Sequence, residues 1–129
     1  MKKEVGLWID HREAVLVTIT AAGEATTRIY SDIEVDAQYS GSSRSSGSQN
    51  AENMQDRKYT NNLGRYYDAI IGYIRDADAI QIFGPGEAKG ELVKRLKSKK
   101  LRKRIVSIET TDKLTDPQIA AKVRQHFPG

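Results

Sequence analysis

The chain has 129 residues, a net charge of +4 and no cysteine. That length is expected to make one domain, 1–129, with a substantial core, and the missing cysteines exclude disulfides and thiolate chemistry. His11 and His126 stand at opposite ends of the chain, so neither a metal centre nor a cofactor is expected. No apolar run approaches a membrane span, and Met1-Lys2-Lys3-Glu4 does not open a signal peptide, which predicts a cytoplasmic protein with no membrane partner.

Glu4 to Asp10 reads as a first strand, with Val5, Leu7 and Ile9 on one face and Trp8 on the other, beneath a crossover helix. Asp10 is expected to make a turn with His11 and Arg12. Ala14 to Thr20 is a second alternating strand, and Ala25 to Ser31 a third. Connections this short imply an antiparallel meander.

From about Asp36 to Asn62 apolar residues nearly vanish. The stretch from Ser40 to Asn50 is low-complexity and cannot bury enough surface to order itself, so 36–58 is expected to be a flexible polar loop within the domain. Helical periodicity then returns with Leu63, Tyr67, Ile70, Ile71 and Ile74, in a helix expected from Tyr59 or Thr60 to Asp76, with Tyr66 partly exposed beside the apolar stripe.

Ala79 to Phe83 is a buried strand running into Gly84-Pro85-Gly86, where two glycines permit backbone angles closed to other residues. Ala88, Leu92, Val93 and Leu96 follow at helical spacing. Gly84, Gly86 and Lys89 are candidates for a phosphate-binding turn, although no Walker or dinucleotide fingerprint is present and a plain strand-to-helix turn is the simpler reading.

The same region is strongly basic. Lys89, Lys94, Arg95, Lys97, Lys99, Lys100, Arg102, Lys103 and Arg104 stand against Glu91 alone, which gives this window +8 and leaves −4 for the rest of a chain totalling +4. A basic lobe on an acidic body points to a polyanionic partner, RNA foremost, while cations also suit a helix C-terminus. Ile105 to Ile108 is a last strand, and Thr115-Asp116-Pro117-Gln118 is a capping box opening a terminal helix.

The element order is βββ-(long loop)-αβαβα: three antiparallel strands, then two crossover units. This α/β order predicts a ribonuclease H-like mixed sheet. Through Leu7-Trp8-Ile9-Asp10, Ala14-Val15-Leu16-Val17, Tyr66-Tyr67 and the run from Gly84 to Leu92, the chain resembles the central domain of the archaeal and eukaryotic class I peptide-chain release factors and Pelota, and short bacterial relatives of that domain. The resemblance implies a cytoplasmic translation module whose partner is the ribosome or structured RNA. In release factors of that family, a Gly-Gly-Gln tripeptide in the corresponding loop promotes peptidyl-tRNA hydrolysis. This chain has Gly47-Ser48-Gln49, with serine in place of the middle glycine. Pelota-type members act on ribosomes without the tripeptide, so the resemblance favours binding over catalysis.

Two other readings stay open: a peptidyl-tRNA or other ester hydrolase using Gly47, Ser48 and Gln49, and a protein-interaction domain with no nucleic-acid role. A two-metal nuclease fits poorly. Asp10 and Glu109 end strands, but the central strand supplies no carboxylate, and Asp76 and Asp78 lie at its other end.

Overall fold

Short links between alternating apolar segments leave neighbouring strands nothing nearer to pair with than each other. In the computed structural model, which describes residues 2–31 and 63–127, β1 (Glu4–Ile9), β2 (Glu13–Thr20) and β3 (Gly23–Tyr30) form an antiparallel meander. Leu7 lies opposite Leu16, and Leu16 opposite Thr27. A helix, α1, spans 63–74 and delivers the chain to β4 (Ala79–Gly84), which pairs in parallel with β1. Then α2 (Ala88–Ser98) and a short 3-10 turn (Arg102–Arg104) lead to β5 (Ile105–Thr110), parallel to β4. The terminal helix α3 (Asp116–His126) follows. The sheet order is β3-β2-β1-β4-β5, the ribonuclease H-like mixed sheet that the element order predicts.

The helices cover both faces. Val5, Leu7, Ile9, Leu16, Ile80 and Ile82 pack against Ile70 and Ile74 of α1 and Leu92 and Leu96 of α2. On the other face Trp8, Val15, Val17 and Phe83 pack against Ile119, Ala120, Val123 and Phe127. Trp8 is 2% exposed, and its indole N–H donates to the Asp112 carbonyl at 3.2 Å. It lies beneath a helix as expected, but that helix is the terminal α3 and not a crossover. Gly6 makes room on the same face: a Cβ there would stand 2.3 Å from Val123 Cγ2.

Two further differences have local causes. Tyr66 is buried, at 2% exposure, because its hydroxyl reaches the Asp10 carbonyl at 2.9 Å and so satisfies its polar end. The last strand runs two residues past Ile108, since its pairing with β4 continues to Gly84 opposite Thr110. The expected start of the long helix at Tyr59 or Thr60, the polar loop 36–58 and its Gly47, Ser48 and Gln49 lie outside the described residues.

Candidate nucleic-acid interface

Helix α2 buries Ala88, Leu92, Val93 and Leu96, which turns its lysines outward. Its C-terminus closes as a Schellman cap: Leu101 N–H donates to the Leu96 carbonyl at 2.9 Å and Lys100 N–H to that of Lys97 at 3.0 Å. Leu101 packs back on the core cluster to which Leu96 belongs. The cap position in the left-handed region is Lys100, at φ 63°, where glycine is the favoured residue. A lysine is therefore held, at a conformational cost, on the most basic corner of the fold.

The nine cations do not act alike. Arg95 makes two hydrogen bonds to the Asp68 carboxylate, at 2.7 and 2.9 Å, and ties α2 to α1. That contact, aided by Lys99, holds the Asp68 carboxyl below its ordinary range. Arg104 donates to the carbonyls of Arg75 and Ala77, at 2.8 and 3.0 Å, beyond the end of α1. Lys89 donates to the Gly86 carbonyl at 2.6 Å. These three serve the fold. Lys94, Lys97, Lys99, Lys100, Arg102 and Lys103 are exposed and form no salt bridge among the described residues.

Their placement follows from the topology. Helix α2 runs back from the carboxyl end of β4 to the amino end of β5, about 16 Å for eleven residues. Lys97, Lys99, Lys100, Arg102 and Lys103 therefore gather at the amino edge of the parallel strands. Lys89 stands at the other end of the helix, so the continuous basic window of the sequence is split in space.

The candidate phosphate turn lies with Lys89 at the carboxyl edge. Gly84 has φ 150°, and a Cβ on it would stand 2.2 Å from the Ile9 carbonyl oxygen. It is there so that β4 can end against β1. Lys89 closes the turn by bonding Gly86, while Glu87 and Glu91 occupy the start of α2, where they complement the helix dipole and oppose a phosphate. The arrangement of Gly84, Gly86 and Lys89 is that of a self-closed strand-to-helix turn.

A polar cluster that the sequence does not announce sits at this edge. Glu91 Oε1 accepts from the Tyr67 hydroxyl at 2.5 Å and lies 3.1 Å from His11 Nε2. The Tyr66 and Tyr67 rings are 5.4 Å apart, and burial pushes the Tyr66 phenol far up, with the charge of Asp10 adding to it. The described chain leaves at Ser31 and re-enters at Leu63 on this edge, so both residues lie at the opposite end of the sheet from the basic corner.

The carboxylates that a nuclease would need are engaged elsewhere. Asp10 Oδ1 accepts from the backbone N–H groups of Arg12 and Glu13, both at 2.8 Å. Glu109 pairs with Lys122 of α3, Asp76 with Lys3 at 2.6 Å, and Asp78 accepts from the Lys3 N–H at 2.8 Å. No cluster suited to a metal ion occurs among the described residues.

No protein-family model and no curated protein matches the chain. Solved structures do. The chain is similar to Pelota of Thermoplasma acidophilum (TM-score 0.58, 14% identity, 92% of this chain and 31% of that one). It is also similar to Pelota of Archaeoglobus fulgidus (0.55, 12%, 96% and 31%) and to the archaeal translation termination factor aRF1 (0.57, 11%, 94% and 33%). The chain thus has the fold of a Pelota and release-factor domain and spans about a third of the length of those proteins.

Proposed function

We propose that this chain is a non-catalytic, cytoplasmic binding module of the translation apparatus, which docks on structured RNA, ribosomal RNA foremost, through the basic corner of α2. The observation that carries the reading is the group of Lys94, Lys97, Lys99, Lys100, Arg102 and Lys103, exposed and in no salt bridge among the described residues, with Lys100 kept at a glycine position. Cations that the fold does not consume are available to phosphates, and releasing condensed counterions drives such binding. The fold shared with Pelota and aRF1 adds support, since aRF1 is a termination factor. The non-catalytic part rests on Ser48, which stands where the release tripeptide needs glycine.

The test is co-sedimentation with ribosomes, and binding to ribosomal RNA fragments, at graded salt. Reversing Lys97, Lys99, Lys100, Arg102 and Lys103 to glutamate should abolish binding and leave circular dichroism unchanged, because the side chains are solvated. Four engaged phosphates predict a log–log salt slope of about −3. Binding that ignores salt or the reversals overturns the reading. Peptidyl-tRNA hydrolysis that Gln49→Ala stops would replace it with the enzyme.

A further inference from the structure

The outer edge of β5 has features that binding to phosphates does not use. β5 pairs with β4, and no strand covers its other side among the described residues. Such an edge presents backbone N–H and C=O groups able to template another chain. The opposite edge strand, β3, is screened by charge: Glu24 is tied to Arg124, and Arg28 to Glu13 and Asp116. From Ile105 to Thr110 there is no proline, lysine or arginine. A register shift leaves Val106 without a partner in β4, one device that blunts edges, but pairing is regular from Ser107 to Thr110.

Val106 and Ile108 are each 52% exposed. Ile108 lies opposite Ile82, which belongs to the core beneath α2, so Ile108 stands on that face at the margin of the sheet. There a groove of about 290 Å³ separates α2 from β5. Val93, Ile105, Val106 and Ile108 supply its apolar lining, and Lys97 and Arg102 its cations. On the other face Glu109 is already neutralised by Lys122.

We propose that β5 is a docking edge for an extended, acidic segment of a partner protein, which adds to the sheet as a sixth strand. Main-chain hydrogen bonds to β5 would give affinity, alternate apolar side chains would rest on Ile108, and carboxylates would meet Lys97 and Arg102. Charge complementarity selects this occupant. A second copy would offer from its own β5 only the Glu109 carboxylate, which Lys122 already neutralises, and RNA has no alternating apolar side chains to cover Val106 and Ile108.

The probe is a labelled peptide of about eight residues alternating valine with glutamate, titrated against the full chain by fluorescence anisotropy. Saturable binding is expected, weakened about 10-fold or more by Ile108→Asp and by Lys97→Glu with Arg102→Glu. N-methylation of alternate peptide bonds in the probe should abolish binding to the unaltered protein, a test that no folding defect can confuse. Ile108→Asn, which adds no charge beside Lys97 and Arg102, should weaken the peptide and keep full RNA affinity, whereas reversing Lys99, Lys100 and Lys103 should remove RNA and spare the peptide. The proposal fails if the peptide does not bind, if lysine in place of its glutamates binds equally, or if N-methylation has no effect. It also fails if Ile108→Asn loses RNA together with peptide, or if the edge holds a dimer that Ile108→Asp dissociates.

Discussion

Lys100 adopts φ 63°, a conformation that costs an L-residue about 1–2 kcal/mol relative to glycine. Glycine returns part of that through the entropy of its unfolded chain, about 0.4–1 kcal/mol. Lys100→Gly should therefore stabilise the fold by about 0.5–1 kcal/mol, seen as a higher urea midpoint, while weakening RNA binding. A lower midpoint would mean that the cap does not take this form. Gly84 is the opposite case. Its φ of 150° and the Ile9 carbonyl 2.2 Å from any Cβ leave no room, so Gly84→Ala should cost about 3 kcal/mol or more. The sequence displays the glycine plainly at the end of an apolar run. It hides the strained lysine, because nothing in a basic run distinguishes the one residue that must turn left-handed.

Among the helices, α3 carries its start signal openly in the sequence and α2 does not. The Thr115 hydroxyl accepts from Gln118 N–H at 3.3 Å, and the Gln118 side chain accepts from Thr115 N–H at 2.9 Å, with proline in the first turn. All of this chemistry lies within four residues, so it is visible before folding. Thr115→Ala should cost about 1 kcal/mol. Because α3 covers Trp8, the one tryptophan, its fluorescence should report the loss as an earlier unfolding transition. An unchanged transition would show that the box adds nothing to the packing of α3. Helix α2 carries a basic run that suggests one uniform lobe. In the fold Arg95 serves α1, Lys89 serves the turn before α2, and Arg104, just past α2, serves the chain leaving α1.

Among the ion pairs that join elements distant in the chain are Glu24 with Arg124, Asp68 with Arg95 and Asp76 with Lys3. In each, the hydrogen bond from the cation is the largest influence and holds the carboxyl below its ordinary value. A lowered folded-state pKa means stability that is present at neutral pH and lost as the pH falls through it. The urea midpoint should stay level from pH 7 to about 5 and drop below about pH 4, by an amount that added salt reduces, since all three pairs are solvent-exposed. A midpoint unchanged down to pH 3 would remove these pairs from the account of stability. Among the described residues no helix is long and apolar enough to cross a membrane.

The sequence by itself determined the element order, the faces of β1 and β2, the turn at Gly84 and the cap at Thr115. Each is written in side-chain period or in chemistry spanning a few residues, and short connections leave the first three strands one arrangement. Only the tertiary structure decided which cations remain for a partner, that His11 and Glu91, 80 residues apart, share a cluster with Tyr67, and that Tyr66 is buried. It also decided that β5 stands at an edge among the described residues with Val106 and Ile108 exposed, and that Ser31 and Leu63 lie at the opposite end of the sheet from the basic corner. Those outcomes depend on where α1 and α2 reverse direction against the sheet. Pairings across tens of residues leave no periodic trace in the chain that makes them.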